Sequence, residues 1–217
     1  MKLQDLHNHT TYSYDGVNTP EEIIKNAISK GIDIIGISDH QFSIGNKLSS
    51  YIEEINYLKE KYKNEKIVLC GLEIGLRPKP DDLINPNKLN LDYCLFESLD
   101  SDRFDTMDIY EFFEWSRLFN IPKGLAHTDI FKLGEKFNID ILSKMKEYGF
   151  FWEINTSGNY TYYYDFLTNH QKQQLISKSD IIVSIGSDTH SIRNYNLSKI
   201  KSLHLLIEKL KIPIIFS

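Results

Sequence analysis

No apolar run in this 217-residue chain approaches the ~20 residues that a membrane span requires. The chain opens Met-Lys-Leu-Gln-Asp and passes at once into a polar, histidine-bearing motif, so no secretory signal peptide is expected. Basic residues are in deficit: 25 Lys and Arg stand against 30 Asp and Glu, a formal net charge of -5. That balance argues against a broad nucleic-acid or anionic-membrane footprint, while leaving room for a local cationic pocket. Cysteine is scarce. Cys70 and Cys94 both sit inside apolar runs and read as buried free thiols of a reducing cytoplasm, with a disulfide between them as the lesser alternative. No Gly-x-Gly-x-x-Gly follows the first strand-like run, so a dinucleotide-binding sheet lacks its fingerprint. Low-complexity segments and internal repeats are also missing. Together these absences leave a single-domain, cytoplasmic, soluble protein, residues 1–217, whose oligomeric state the sequence does not specify.

What is present is an alternation. Leu3 to Leu6 reads as a short strand; Thr19-Pro20-Glu21-Glu22 is a helix start, and Gly31 a helix stop. Ile32 to Ser38 is a nearly continuous apolar run, as in a parallel strand buried on both faces. The pattern recurs: a helix over 51–62, a strand over 67–74, a proline-bearing loop over 77–90, a strand over 91–96 and a helix over 107–119. Then come a strand over 123–126, a helix over 139–148, a strand over 150–155, a helix over 167–178, a strand over 181–185, a helix over 197–210 and a terminal strand over 212–216. Seven or eight βα units in so short a chain predict an α/β, TIM-like closed barrel.

The strand-like runs end in metal-ligand residues. These are His7 and His9, His40, Glu73, Glu97, His127, and the pair Asp188 and His190, with Asp15 just beyond the first strand. Five of the seven histidines fall at strand ends, whereas random placement would scatter them over helices too. His7-x-His9 and Asp188-x-His190 each put two ligands on one side of an extended chain. In a barrel these ends gather on one face. Imidazole with carboxylate suits Zn²⁺, Mn²⁺ or Fe²⁺ better than Mg²⁺ or Ca²⁺, and so many ligands imply more than one ion. His170 and His204 read as surface or packing residues.

Asp5-Leu6-His7-Asn8-His9-Thr10, Gly36-Ile37-Ser38-Asp39-His40, Gly71-Leu72-Glu73-Ile74, Leu125-Ala126-His127, Glu153-Ile154-Asn155-Thr156-Ser157-Gly158 and Gly186-Ser187-Asp188-Thr189-His190 follow one another in that order. In this the sequence resembles the PHP (polymerase and histidinol phosphatase) family, and in particular its stand-alone histidinol-phosphatase-like phosphoesterases. The resemblance implies a distorted (β/α)7 barrel with two or three divalent ions, Zn, Mn or Fe. By it, His7, His9, Glu73 and Asp188 would hold one ion, Glu73 and His127 a second, and Asp15, His40 and His190 a third. Two departures stand out: many members with three ions carry His where this chain has Asp15, and the fourth strand usually ends in histidine where this chain reads Phe96-Glu97-Ser98-Leu99-Asp100. Glu97, whose strand parity keeps it facing the site, is the expected replacement ligand, with Asp100 second.

The chemistry implied is hydrolysis of phosphate monoesters, in which two ions ~3.5–4 Å apart activate water and clamp the attacking and leaving oxygens. Asp188 or His190 is placed to manage the leaving-group proton, and Arg193 to bind phosphate, with Arg77 and Arg117 as weaker cations. Resemblance makes histidinol phosphate the first substrate guess, with other small phosphomonoesters and nucleotides open. The aromatic run Asn159 to Phe166 reads as packing or subunit contact, or else as a wall for a ring-bearing substrate. An amidohydrolase-type metalloenzyme, which also opens with His-x-His, and a non-catalytic metal-binding regulatory module are the alternatives.

Overall fold

The computed structural model describes residues 2–75, 89–102 and 107–217. Seven parallel strands follow one another around a sheet in sequence order: β1 (Gln4–Asp5), β2 (Ile34–Ile37), β3 (Ile67–Ile74), β4 (Tyr93–Glu97), β5 (Lys123–Ala126), β6 (Phe150–Asn155) and β7 (Val183–Gly186). The ring is completed where β1 meets β7. Leu6 N donates to Ile185 O and His9 N to Thr189 O, each at 2.8 Å. The result is a single-domain (β/α)7 barrel, as the alternation predicts.

Helices fill the outer layer: α1 (Pro20–Lys30), α2 (Gln41–Ile44), α3 (Leu48–Tyr62), α4 (Ile109–Ser116), α5 (Ile130–Phe137), α6 (Ile141–Tyr148), α7 (Thr161–Thr168), α8 (His170–Ser179) and α9 (Leu197–Leu210). Their apolar stripes bury the outward face of each strand in one large core that includes Ile35, Cys70, Phe96, Trp152 and Ile185. Strands covered on both sides read as apolar runs rather than alternating ones.

The inward face is organised differently from bottom to top. Leu6, Ile34, Leu69, Tyr93, Leu95, Ala126 and Phe151 form a second, smaller core inside the barrel. Gly36, Gly71 and Gly124 make space for it, since a Cβ on any of them would run into the Tyr93 or Phe151 ring. Further along the same inward parity, the apolar side chains give way to Glu73, Glu97 and Glu153. A polar upper layer thus rests on an apolar plug.

The structure corrects several expected boundaries. α5 was not predicted; its signal is Asp129, which caps the helix by accepting from Phe131 N and Lys132 N. The helix expected over 167–178 is two helices. Asn169 N donates to Asp165 O at the end of α7, and the Asn169 side chain caps α8. The terminal strand reduces to one bridge, Ile214 to Val183, and Ile215 and Phe216 pack on the inner core from below. Cys70 and Cys94 are buried free thiols. No helix among the described residues is long and apolar enough to cross a membrane. Arg77 lies outside the described residues.

Candidate metal centre

The upper ends of the strands converge as their sequence predicts, and Glu73 stands at the centre. The Glu73 carboxylate is fully buried. Its Oε1 lies 3.4 Å from His7 Nε2 and 3.6 Å from His127 Nε2; its Oε2 lies 3.4 Å from His9 Nε2 and 2.8 Å from His40 Nδ1. Asp188 faces it, with Oδ1 3.3 Å from His9 Nε2 and Oδ2 3.3 Å from His127 Nε2. The third set is next to these: His190 Nε2 is 3.1 Å and His40 Nε2 3.5 Å from Asp15 Oδ2. His127 and Asp188 both adopt left-handed backbone, at φ 51° and 55°, a strained conformation for residues with a Cβ.

These atoms fit metal ions better than they fit one another. A tetrahedron with Zn–N and Zn–O bonds of ~2.0–2.1 Å has edges of about 3.3–3.4 Å, the spacing seen here. Glu73 Oε1 and Oε2, Asp188 Oδ1, His127 Nε2, His40 Nδ1 and Asp15 Oδ1 are all buried with no hydrogen-bond partner. Burial of so many unpaired polar atoms is costly unless something outside the chain satisfies them. Four ligand groups emerge among the described residues: His7, His9 and Glu73; His7, His127 and Asp188; His40, Glu73 and Glu97; and His9, Asp15, His40 and His190.

The grouping refines the expected one. Asp15, His40 and His190 lie together, joined by His9. Asp188 reaches across, one oxygen toward His9 and the other toward His127. Glu97 joins the cluster on the side of His40 and Glu73 rather than that of His127. Asp100 does not enter it and pairs instead with Lys132 at 3.5 Å. Arg193 is exposed just beyond His190, whereas Arg117 is spent on Glu114 and Glu147 and on the Tyr148 ring at 4.1 Å.

A surrounding set of residues aims the ligands. Glu153 Oε1 accepts from His7 Nδ1 at 2.5 Å, leaving Nε2 to face the cluster. Its Oε2 accepts from His127 N and Asn155 Nδ2. Gly186 permits this approach, because a Cβ there would lie 2.1 Å from Glu153 Oε1 and 2.6 Å from His7 Cβ. Tyr160 Oη is 2.8 Å from His127 Nδ1, with the two rings stacked at 4.7 Å. Ser13 Oγ lies 3.2 Å from His9 Nδ1 and accepts from His40 N, and Asp39 ties down the loop by accepting from Thr10 N and Ser13 N. Asp5 accepts from Ser187 N and Oγ, fixing the turn that carries Asp188. Sequence reasoning gave Glu153 no role, although its signal was legible: a lone carboxylate on the inward parity of an apolar strand, as for Glu73. Lys199 was also missed. Its Nζ donates to Ser157 O at the top of β6, a contact between distant segments that no local pattern announces.

The charges are strongly coupled. Burial alone would push the Glu73 carboxyl up, but the rings of His7, His127 and His40 hold it well below the ordinary carboxylate range. Asp188 is likewise held well down against its burial, chiefly by His127. Burial depresses His127, yet Asp188 and Glu73 raise it to about 9; the same contest, won by Glu153 and Glu73, raises His7. His9, with burial dominant, is lowered. In the metal-free chain His127 therefore carries a proton at pH 7 that an ion must displace. Apparent metal affinity is expected to rise between pH 7 and about pH 9, by roughly tenfold per pH unit for each proton displaced. Chelator competition at pH 7 and pH 8 measures this, and equal affinities at the two pH values would contradict it.

A family model described as the PHP domain matches residues 5–187. The chain belongs to the PHP domain family. Among relatives, the histidinol-phosphatase of Lactococcus lactis is 31% identical over 84 residues, a stretch covering 35% of this chain and 30% of that protein. A probable phosphatase of Caldanaerobacter subterraneus is 27% identical over 98% of this PHP chain and 86% of its own length. Among solved structures, the Lactococcus lactis histidinol phosphate phosphatase complexed with zinc, L-histidinol and phosphate superposes with a TM-score of 0.69 at 19% identity, covering 98% of this chain and 95% of that one. A chain from the metal-dependent tyrosine phosphatases of Bacillus subtilis and Streptococcus pneumoniae gives 0.58 at 18% identity, over 95% and 87%. At such identities the superpositions establish the PHP barrel fold.

Proposed function

We propose that this PHP protein is a metal-dependent phosphatase that hydrolyses small phosphate monoesters. The observation that carries the reading is the set of unpaired, buried ligand atoms of Glu73, Asp188, His127 and His40, spaced as ligands of common ions on the barrel's upper face. His7, His9, Glu73 and Asp188 would hold one ion, Glu73 and His127 a second, and Asp15, His40 and His190 a third, with Glu97 reaching in beside His40 and Glu73, and zinc, manganese or iron suited to the mixed donors. When bound, such ions supply an activated water and neutralise phosphate charge. The chain's own part is to hold the ester in line. Arg193 contributes a cation for the phosphate oxygens, and Lys199, anchored at Ser157, a second beside β6. Asp188 and His190 are the groups assigned to the leaving-group proton, His190 being the more accessible at 36% side-chain exposure against 4%. The likeness to histidinol phosphatases makes histidinol phosphate the first substrate to test.

The test is a phosphoester panel run on chelated protein with Mn²⁺, Zn²⁺ and Fe²⁺ restored separately. Turnover should depend on added metal and fall in His7→Ala by more than the roughly 10–100-fold typical of losing an outer-sphere partner. Full activity in chelated protein, or in His7→Ala, would refute the site. Metal binding without turnover on any phosphoester would instead indicate a regulatory module.

A further inference from the structure

The rim of the site carries an aromatic surface that packing does not explain. Of the run Asn159 to Phe166, expected to pack, to make a subunit contact or to form a wall for substrate, Tyr162, Tyr163 and Phe166 are buried core residues. Tyr160 reaches the cluster but engages His127 through its hydroxyl. The open aromatic faces lie beside His40, in the loop after β1 and in α2, which follows β2. Tyr14 is 73% and Phe42 48% exposed, high values for large aromatic side chains, which are usually well buried. Both adjoin His40: Tyr14 stacks on its ring at 5.6 Å and 21°, and Phe42 sits 5.0 Å from it. Their own ring centres are 5.7 Å apart and tilted by 39°, forming an open corner.

This corner borders the ligand cluster. Tyr14 precedes Asp15, whose carboxylate faces His40 and His190. Phe42 flanks Glu97: a Cβ on Gly75 would lie 2.9 Å from Glu97 Oε1 and 3.8 Å from Phe42 Cδ1. The two rings thus border the cluster at His40, where the ester group of a phosphate leaving past that residue would meet them. A flat ring stacks on such faces, each aromatic contact being worth a few-fold in affinity, whereas a short alkyl chain gains only its buried area.

We propose that Tyr14 and Phe42 form a clamp for a planar ring in the leaving group, so that the preferred substrates are ring-bearing phosphate monoesters. The proposal rests on the phosphatase reading for its chemistry but on the rim geometry for its specificity. The test compares 2-phenylethyl phosphate with n-butyl phosphate, primary-alcohol esters of nearly equal leaving-group acidity, so that a rate difference reports recognition. The ring-bearing ester should be favoured in kcat/KM by about fivefold or more. That ratio should collapse toward one in Tyr14→Ala and Phe42→Ala, and partly in Phe42→Leu, which keeps bulk without a ring face. A wild-type ratio near one, or a ratio unchanged in all three variants, overturns the clamp. Should neither ester be hydrolysed, calorimetric binding of 2-phenylethylphosphonate against butylphosphonate decides the clamp, while the phosphoester panel decides the phosphatase reading separately. Tighter binding of the ring, weakened in Tyr14→Ala, supports it; equal binding overturns it.

Discussion

Replacing Glu73 with Gln is expected to remove metal from the site and activity with it. Gln has nearly the volume of Glu, so packing above the inner core persists while one negative charge disappears from the cluster centre. Both Glu73 oxygens face imidazole nitrogens, and the residue belongs to two of the four ligand groups. An amide offers one neutral acceptor and one N–H₂, which points donor hydrogens where a ligand lone pair is needed. Metal content should fall by at least one ion per chain, and activity by more than the roughly 10–100-fold that loss of an outer-sphere partner costs. Stability reports the same event independently. Ions at a hundred times their dissociation constant stabilise by about 2.7 kcal/mol, equivalent to a Tm rise of roughly 5–10 °C in a chain of this size. Wild type should show that rise when reloaded after chelation, and Glu73→Gln should not. A variant that recovers the full rise would remove Glu73 from the site.

The sequence made most of this legible, because a parallel barrel writes its plan into every strand. Each strand is covered on both faces, so Ile34 to Ile37 and Ile67 to Ile74 appear as apolar runs, and each ends where its polar cargo begins. His7, His9, His40, Glu73, His127 and Asp188 stood out because such residues are expensive inside an apolar frame. What stayed hidden depended on contacts between segments remote in sequence. Tyr160 was visible as an aromatic, but its bond to His127 across 33 positions was not. Tyr14 and Phe42 likewise meet only when the loop after β1 and helix α2 are brought together around His40. Helix boundaries failed for another reason: Asp129 and Asn169 are strong local caps that cut or start helices without disturbing the apolar periodicity on either side.

Glu153→Gln should be nearly as damaging as loss of a ligand, although Glu153 itself belongs to none of the ligand groups. The carboxylate can only accept, so its 2.5 Å contact with His7 Nδ1 requires the proton on Nδ1 and frees the Nε2 lone pair. Its other oxygen accepts from two donors, the His127 backbone N–H and the Asn155 amide. A glutamine in this place must keep its carbonyl oxygen toward those two donors, which turns its N–H₂ toward His7. His7 Nδ1 then becomes the acceptor, the ring proton moves to Nε2, and the atom that should face Glu73 and an ion is blocked by hydrogen. The opposite rotamer only exchanges this for N–H groups confronting two donors. Metal affinity is therefore expected to drop by about 100-fold, the upper end for an outer-sphere partner, with the fold intact. ¹⁵N chemical shifts of the His7 ring would show the tautomer change directly, and chelator competition would give the affinity. An unchanged His7 tautomer with unchanged affinity would mean that Glu153 merely fills space beneath the site.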